Sequence, residues 1–142
     1  MSAAGAPPPP PARGSQPLRV LVVEDDRDIA HLLHTLFAAR GYRTEVVHDG
    51  GDALEAFAVL SPDLVTLDVG VPTVDGEELC RRFRAVSDAY LLMLSARTDE
   101  QLIQRCLDHG ADAYLRKPFS TRDLHTRIEE MMTRRRGDSR GK

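Results

Sequence analysis

The feature that most constrains the fold of this chain is a fivefold alternation between short apolar runs and segments with a helical period. Most of the runs are apolar on both faces, as strands covered on both sides should be. They occupy residues 20–23, 44–47, 64–67, 91–94 and 113–115. Strands that alternate with helices favour parallel pairing and right-handed crossovers. The alternation therefore predicts an α/β fold with a parallel sheet, and Glu45 places the second strand at an edge.

The segments between the runs carry the apolar spacing and the end signals of helices. In the first segment, Ile29, Leu33 and Phe37 fall on one helical face. The predicted end signals are Asp26 and Gly41 for the first helix, Ser61 with Pro62 for the end of the second, Asp75 with Gly76 for the start of the third, Thr98 with Gln101 and then Gly110 for the fourth, and Ser120 for the start of the fifth.

The domain organisation follows from length and composition. A chain of 142 residues with 42% hydrophobic content suits one domain with its own core. Residues 1–17 contain a run of five prolines and no hydrophobic periodicity, which predicts a disordered, proline-rich tail. We expect the globular domain at residues 18–133 and a basic tail or linker at residues 134–142.

The charge distribution limits the partners that this chain can have. The net charge is −3, while Arg13 contributes +1 and residues 134–142 contribute +4, which leaves −8 on residues 18–133. An acidic globule is a poor nucleic-acid binder, so we expect no direct DNA binding by this chain. The sequence has no apolar export signal and no membrane-spanning run, which predicts a cytoplasmic protein without a membrane partner.

Polar residues follow the predicted strands where their carboxyl ends should meet. Glu24 and Asp25 follow the first strand, Asp68 the third, Ser95 the fourth and Lys117 the fifth. Ligands bind beyond the carboxyl ends of strands in open parallel sheets, so these side chains are expected to converge on one rim. Each residue also has an ordinary structural explanation, such as a cap, a turn residue or a solvated cation.

Taken together, the converging side chains favour phosphoryl transfer. Clustered carboxylates repel one another unless a cation or protonation offsets their charge, and oxygen ligands in a half-open site suit Mg²⁺. A lysine and a hydroxyl can then bind the remaining phosphate oxygens. Asp68 is the predicted nucleophile, which would form an acyl phosphate. Asp26, by contrast, is expected to cap the first helix rather than to bind metal.

These residues resemble the receiver domain of bacterial two-component response regulators. The resemblance extends over about residues 18–133 and combines several motifs in order, namely Glu24-Asp25-Asp26, Asp68 followed by Val69-Gly70-Val71-Pro72, Ser95-Ala96-Arg97 and Tyr114-Leu115-Arg116-Lys117-Pro118-Phe119. It implies a flavodoxin-like (βα)5 fold with strand order 2-1-3-4-5 and helices on both faces of the sheet. It also implies a signalling phosphoacceptor that promotes its own phosphotransfer and dephosphorylation, rather than a conventional enzyme.

The resemblance assigns a role to each residue on the rim. Asp68 would accept phosphate from the histidine of a sensor kinase, and Mg²⁺ would be held by Asp25, Asp68 and the backbone carbonyl of Gly70, with Glu24 acting through water. Lys117 would bridge to the phosphate. Ser95 would bond a phosphoryl oxygen while Tyr114 moves between exposed and buried positions, which would couple the site to the face of the fourth helix, fifth strand and fifth helix. The Lys117 to Pro118 bond is where the family usually has a cis peptide.

Within that family the motifs most resemble the winged-helix, OmpR/PhoB-type transcription regulators. Such proteins carry a DNA-binding domain after a linker, so this chain is either a stand-alone receiver or a receiver truncated before such a domain. Their active dimers use charged pairs, for which the candidates here are Asp108, Asp112, Asp123, Arg127 and Arg134. Ile103 and Ala113 replace charged residues of that network, so a phosphorylation-dependent homodimer is expected to be weak.

Other functions fit the residues less well. A phosphatase of the haloacid-dehalogenase type needs a second acid two residues after the nucleophile, where this chain has Gly70. A flavodoxin-like carrier needs a phosphate loop after the first strand, where this chain has acids. A receiver that no longer accepts phosphate usually lacks one of the metal-binding acids, the acceptor aspartate or the lysine, and this chain has all of them. The five histidines are expected to be solvated surface residues, and Cys80 and Cys106 to be reduced and without a chemical role.

Overall fold

The computed structural model describes residues 12–13, 16–97 and 99–139 of the chain. Strands and helices alternate regularly from Arg19 onward. In chain order they are β1 (Arg19–Val23), α1 (Arg27–Ala39), β2 (Arg43–Val47), α2 (Gly50–Leu60), β3 (Leu64–Asp68), α3 (Gly76–Val86), β4 (Tyr90–Ser95), α4 (Glu100–Asp108), β5 (Ala113–Arg116) and α5 (Thr121–Ser139). Each predicted strand is present and extends one or two residues beyond the apolar run that indicated it.

The five strands form one parallel sheet in the order β2-β1-β3-β4-β5. This is the predicted order, and β2, which contains Glu45, lies at an edge as expected. Since β1 and β3 are neighbours although β2 lies between them in sequence, the strand order reverses at β1. Such a reversal opens a crevice at the carboxyl ends of the strands, and Glu24, Asp25 and Asp68 lie at this edge of the sheet.

Helices cover both faces of the sheet because successive strand residues point to opposite sides. Leu21, Val65 and Met93 pack on the side of α2, α3 and α4. Val22, Leu64 and Leu92 pack on the side of α1 and α5. The apolar residues of β1, β3, β4 and β5 are almost entirely unexposed, whereas the edge strand β2 is only partly buried. Burial of apolar surface therefore fixes the register of these four strands and thereby the positions of the residues that follow them.

The helix ends largely follow the sequence signals. Asp26 and Asp75 cap α1 and α3, and Gly41 and Gly110 adopt positive φ just beyond α1 and α4. Thr98, the expected cap of α4, lies outside the described residues. The cap is Asp99, whose carboxylate accepts hydrogen bonds from the backbone N–H groups of Gln101 and Leu102.

The fifth helix differs from the prediction at both ends. Its first residue is Thr121 rather than Ser120, because Ser120 serves as the cap. The Ser120 and Asp123 side chains each accept a hydrogen bond from the other residue's backbone N–H, which forms a capping box over the first turn. It continues to Ser139, beyond the expected domain limit at residue 133. The limit therefore does not coincide with a helix end, and the assignment of residues 134–142 as a linker stays a prediction.

The proline-rich tail contributes one short structured element. Ala12–Arg13 pairs with Gln16–Pro17 in antiparallel register, so that Ala12 lies opposite Pro17. The expected disorder of residues 1–17 is not tested elsewhere, since residues 1–11 and 14–15 lie outside the described part of the chain. Among the described residues, none of the helices combines the length and the apolar character needed to cross a membrane.

The start of α2 packs tightly against the loop that follows β3. Gly50 donates its N–H to the carbonyl of Pro72 at 2.9 Å, and a Cβ at Gly50 would collide with the backbone carbonyl of Val74. A Cβ at the next residue, Gly51, would make a tight contact of 3.3 Å with the Asp49 side chain but no collision with backbone. Gly50 therefore allows the loop beyond Asp68 to approach α2.

We predict that Gly50→Ala lowers the free energy of unfolding by about 1–3 kcal/mol or more, the usual cost of overpacking. Gly51→Ala should change the free energy of unfolding by no more than about 1 kcal/mol, because the helix preference of alanine offsets the tight contact with the Asp49 side chain. Urea unfolding of both variants measures this difference. Equal losses in the two neighbours would contradict the packing described for the loop.

Candidate functional site

The acids predicted to converge do meet at the carboxyl end of the sheet. Glu24 and Asp25 follow β1 and Asp68 ends β3, and their carboxylate oxygens lie within 4.8 Å of one another. Lys117 follows β5, and its Nζ lies 2.9 Å from Glu24 Oε1 and 3.4 Å from Asp68 Oδ1. Three carboxylates and one ammonium group therefore form a single cluster, which we call the acidic site.

Burial within the acidic site is uneven. Glu24 is completely buried and Asp68 is nearly so, whereas Asp25 is exposed to solvent. Burial raises the pKa of Glu24 to about 7, although the hydrogen bond from Lys117 opposes the shift. The charge of Asp68 adds to the increase. Glu24 therefore retains its proton more readily than an ordinary glutamate does.

The other two titrating partners respond to the same crowding. The pKa of Asp25 is raised by its hydrogen bond with Asp68, by burial and by the negative charge of Asp68. Burial by itself lowers the pKa of Lys117, but its hydrogen bond to Glu24 and the charges of Glu24 and Asp68 outweigh that effect and raise it. Lys117 is thus a firmly charged cation that only partly offsets three acids.

The backbone around Asp68 holds this residue in place. Gly70 donates its N–H to Asp68 Oδ1 at 3.3 Å, and Val69 donates to the carbonyl of Leu94 on β4 at 3.1 Å. On the other side, Gly76 at the start of α3 lies so close that a Cβ there would collide with the Asp68 carbonyl. A Cβ at Gly70 would meet no atom within 4 Å, so the space beside the acid is open.

Ser95 and Tyr114 are connected through one residue. Arg97 donates its backbone N–H to Ser95 Oγ at 3.0 Å, and the Tyr114 hydroxyl donates to the Arg97 carbonyl at 3.4 Å. Both side chains are almost fully buried, with Tyr114 packed in the core cluster beneath α4. A change in the bonding of Ser95 would therefore act on the same backbone segment that holds the Tyr114 ring.

The expectation for Asp26 is confirmed in its structural part. Asp26 Oδ1 accepts hydrogen bonds from the backbone N–H groups of Asp28 and Ile29 at 3.0 and 3.1 Å, which caps α1. In the described part of the chain, the group of acids that could hold a metal consists of Glu24, Asp25 and Asp68. The carboxylate of Asp26 thus serves the helix while its two predecessors form the acidic site.

One histidine near the site was wrongly expected to be a solvated surface residue. His48 is half-buried, and its Nδ1 lies 2.9 Å from the backbone carbonyl oxygen of Glu24. It thereby supports the loop that presents Glu24 and Asp25. The position of His48 directly after β2, whose neighbour is β1, was the available signal, since parallel neighbours end at the same rim.

The donor set suits a divalent cation. Three carboxylates and one ammonium group give the acidic site a formal charge of −2, and carboxylate oxygens are the ligands that Mg²⁺ and Ca²⁺ prefer. Asp25, the exposed member, leaves one side of the site open to water and to an incoming phosphate. The Lys117 to Pro118 peptide bond is cis, as the resemblance suggested.

Comparison with known proteins gives a consistent result. Residues 20–129 match the response regulator receiver domain family. The chain is 40% identical over 116 residues to the DNA-binding response regulator MtrA of Mycobacterium tuberculosis (strain ATCC 25618 / H37Rv) and 41% identical over 118 residues to the response regulator MprA of Mycobacterium ulcerans (strain Agy99). Each alignment covers 82% of this chain and 51% of the relative, so the chain spans about half the length of these curated relatives.

Solved structures agree with the family match. The receiver domain of the Francisella response regulator 1452 has a TM-score of 0.74 and 32% identity, covering 82% of this chain and 98% of that one. The BeF3-activated N-terminal receiver domain of Klebsiella pneumoniae RstA has a TM-score of 0.75 and 27% identity, covering 80% and 97%. This chain thus aligns with nearly the whole length of both receiver domains.

The raised pKa of Glu24 predicts an unusual pH dependence of stability in the absence of metal. A carboxyl with a pKa of about 7 in the folded state and 4.5 ordinarily binds protons more tightly when folded. Its contribution to stability is therefore complete below pH 4.5 and is lost as the pH rises toward 7.

We expect urea unfolding with a chelator to show a loss on the order of 1–3 kcal/mol from this group between pH 5 and 8. Glu24→Gln should flatten the profile, whereas Asp26→Asn, which alters a helix cap outside the acidic site, should not. Mg²⁺ should restore stability at the higher pH. A parental profile as flat as that of Glu24→Gln would contradict the burial of this acid beside Asp68.

Proposed function

The chain belongs to the response regulator receiver domain family, and on that premise we propose that it accepts a phosphoryl group on Asp68 from the phosphohistidine of a sensor histidine kinase. The observation that carries this proposal is the meeting of Asp68 with Glu24, Asp25 and Lys117 at one open rim of the sheet. The family match gives the chain its signalling role, and the geometry favours Asp68 as the acceptor because it is the acid at the centre of the group.

The proposed transfer is a displacement at phosphorus. A carboxylate oxygen of Asp68 forms the new P–O bond as the P–N bond to the kinase histidine breaks, and the imidazole leaves with the electron pair of that bond. Bound Mg²⁺, held by Asp25, Asp68 and the Gly70 carbonyl with Glu24 acting through water, would supply positive charge for the phosphoryl oxygens. Lys117, already 3.4 Å from Asp68 Oδ1, would bond one of those oxygens.

Hydrolysis of the acyl phosphate would return the domain to its resting state. Water would attack phosphorus and release inorganic phosphate, leaving the Asp68 carboxylate. The absence of any atom within 4 Å of a Cβ at Gly70 supports ready access of that water. We therefore propose self-catalysed phosphotransfer and dephosphorylation, within a signalling role rather than a metabolic one.

We propose that the signal leaves the acidic site through Ser95 and Tyr114. Ser95 Oγ would turn from the Arg97 N–H to a phosphoryl oxygen, and the freed Arg97 segment would shift the acceptor of the Tyr114 hydroxyl. The face made of α4, β5 and α5 contains a groove of about 810 Å³, lined in part by Ile103, Leu107 and Tyr114. Movement of Tyr114 would thus change the shape of this output face.

The proposed output is transcriptional. MtrA is described as a DNA-binding response regulator, and this chain matches only half of it. An output domain in a longer parent protein, joined through α5 and residues 134–142, would provide the DNA contact, and no direct DNA binding is proposed for the receiver itself. The cytoplasmic location expected from the sequence stays a prediction.

Self-association through the output face is proposed to be weak. Each charged residue expected to pair between subunits already has a partner within the chain. The acids Asp108, Asp112 and Asp123 contact Gln104, Arg84 and the Ser120 N–H. Arg127 donates to the Tyr114 carbonyl, and Arg134 donates to the Asp112 carbonyl. Of these five contacts only Arg84–Asp112 is an ion pair, and the others are hydrogen bonds that pairing between subunits would have to replace. Exposed ion pairs contribute only about 0–1 kcal/mol each, so the net gain would be small. The apolar part of the groove is left as the main source of attraction.

The phosphoacceptor is testable by intact mass. Incubation with acetyl phosphate and Mg²⁺ should add one phosphoryl group to the parent chain, and Asp68→Asn should abolish the adduct because the amide is not a nucleophile. Asp25→Asn should slow labelling on the order of tenfold through weaker metal binding. Asp26→Asn, a matched exposed acid that caps α1, should label normally. Full labelling of Asp68→Asn would refute the assignment.

The output face is testable by sedimentation velocity with and without acetyl phosphate and Mg²⁺. We expect a phosphorylation-dependent monomer–dimer equilibrium in roughly the micromolar range, as for small and partly polar interfaces. Ile103→Lys should weaken it by about 1 kcal/mol, because the apolar contact of Ile103 is lost. Val59→Lys, on exposed α2 surface outside this face, is the control. Indifference to both phosphorylation and Ile103→Lys would place the output surface elsewhere.

A further inference from the structure

A second groove lies at the opposite end of the sheet from the acidic site. It has a volume of about 430 Å³ and is formed where the chain enters β1, β3 and β4. We call it the amino-end groove, and its apolar lining consists of Leu18, Phe57, Pro62, Val86, Ala89 and Tyr90. Val86 is 75% exposed there, although most valines of this chain are buried. Nothing in the proposed phosphotransfer uses this surface.

The structure assigns an occupant to this groove: we propose that the amino-end groove is the docking site for the proline run at residues 7–11 of the same chain. The tail joins the domain at Leu18, which is itself part of the groove lining. The proposal is independent of the phosphoacceptor function, because it concerns the other end of the sheet.

The path of the tail supports this occupant. Ala12 lies opposite Pro17 and Arg13 opposite Gln16, in antiparallel register. The two strands run in opposite directions. Followed backward from Arg13 to Ala12, the tail therefore runs the same way as the chain from Gln16 to Pro17, which leads to Leu18. Ala12, the residue directly after the proline run, is therefore held beside Pro17 and close to the entry to β1.

The chemistry of the groove suits a proline-rich segment. Such segments adopt the extended polyproline II conformation and dock into grooves lined by aromatic side chains, at little cost in conformational entropy. Two of the lining residues, Phe57 and Tyr90, are aromatic. The charged residues of the lining are Asp63 and Asp88, both acidic, whereas Arg13 is the only charged residue of the tail. The charges of the two surfaces are therefore complementary.

The dimensions also agree. Five residues of polyproline II extend about 15 Å. Because β1, β3 and β4 are adjacent in the sheet, the groove crosses two strand spacings, roughly 10 Å in all. A segment tethered a few residues away has an effective concentration on the order of millimolar, so even a weak site would be occupied within one chain.

The test uses the full chain with a nitroxide on Ala6→Cys and ¹⁵N amide spectra. Cys80 and Cys106 are fully buried, and burial raises their pKa to about 12 and about 11, so they should not take the label in the folded protein. Docking should reduce the Tyr90 amide signal by roughly twofold or more relative to Gly70, at the far end of the sheet. Equal signals at Tyr90 and Gly70 would overturn the proposal.

Two variants test what causes the effect. Val86→Glu, in the groove, should abolish the broadening at Tyr90, whereas Val59→Glu, at a valine that is 84% exposed and outside the lining, should preserve it. Replacing residues 7–11 by glycine and serine leaves the folded domain unaltered and should also abolish it. Broadening that persists after either the Val86 change or the proline replacement would overturn the proposal.

A mixed sample identifies the source of the docked tail. Nitroxide-labelled protein without ¹⁵N is combined with ¹⁵N protein that carries no nitroxide. Intramolecular docking predicts no broadening at Tyr90 of the ¹⁵N copies. Broadening there would show that a second copy supplies the tail and would overturn the assignment of the occupant.

Discussion

The ion pairs of Lys117 with Glu24 and Asp68 are the contacts on which the arrangement of the rim depends. Glu24 is fully buried at the end of an apolar sheet, where an unpaired carboxylate would be costly. Lys117 follows β5, the edge strand, and its ammonium group contacts Glu24, which follows the inner strand β1. This ion pair therefore connects loops from different parts of the rim. A single ammonium cannot balance three acids, however. Burial raises the pKa of Glu24 and the hydrogen bond with Asp68 raises that of Asp25, and the charge of Asp68 adds to both shifts. The residual negative charge makes the site suitable for a divalent cation.

A short chain of hydrogen bonds links the acidic site to the output face. Ser95 ends β4 inside the rim, and Tyr114 lies on β5 beneath α4. The Arg97 backbone donates its N–H to Ser95 Oγ, and its carbonyl accepts from the Tyr114 hydroxyl. A strand as thoroughly buried as β4 transmits little by bending, because packed interiors deform poorly. The short loop after it, exposed at Ala96 and Arg97, is the part that can move. The geometry thus favours a local rearrangement over a motion of the whole sheet.

Much of the fold could be predicted because the signals are local. Apolar runs marked all five strands, and Asp26 and Asp75 marked helix starts. The acidic site followed from strand ends alone, since parallel strands bring these residues to one rim. Contacts between distant segments could not be read in this way. His48 looked like a surface residue until β2 placed it beside the Glu24 carbonyl. Likewise, the capture of Asp112 by Arg84 depends on how the end of α3 meets β5.

The two ends of the sheet differ in what they can couple to. At the carboxyl end, the proposed phosphorylation of Asp68 would change the hydrogen bonds of Ser95 and Lys117. At the amino end, the lining is mainly apolar, and a docked tail would contribute by covering surface. Anything that binds the folded state alone stabilises it by mass action without changing the chemistry elsewhere. Because rigid β4 separates the groove from Ser95 by about 20 Å of strand, tail docking would strengthen the domain and leave phosphotransfer at Asp68 unaltered.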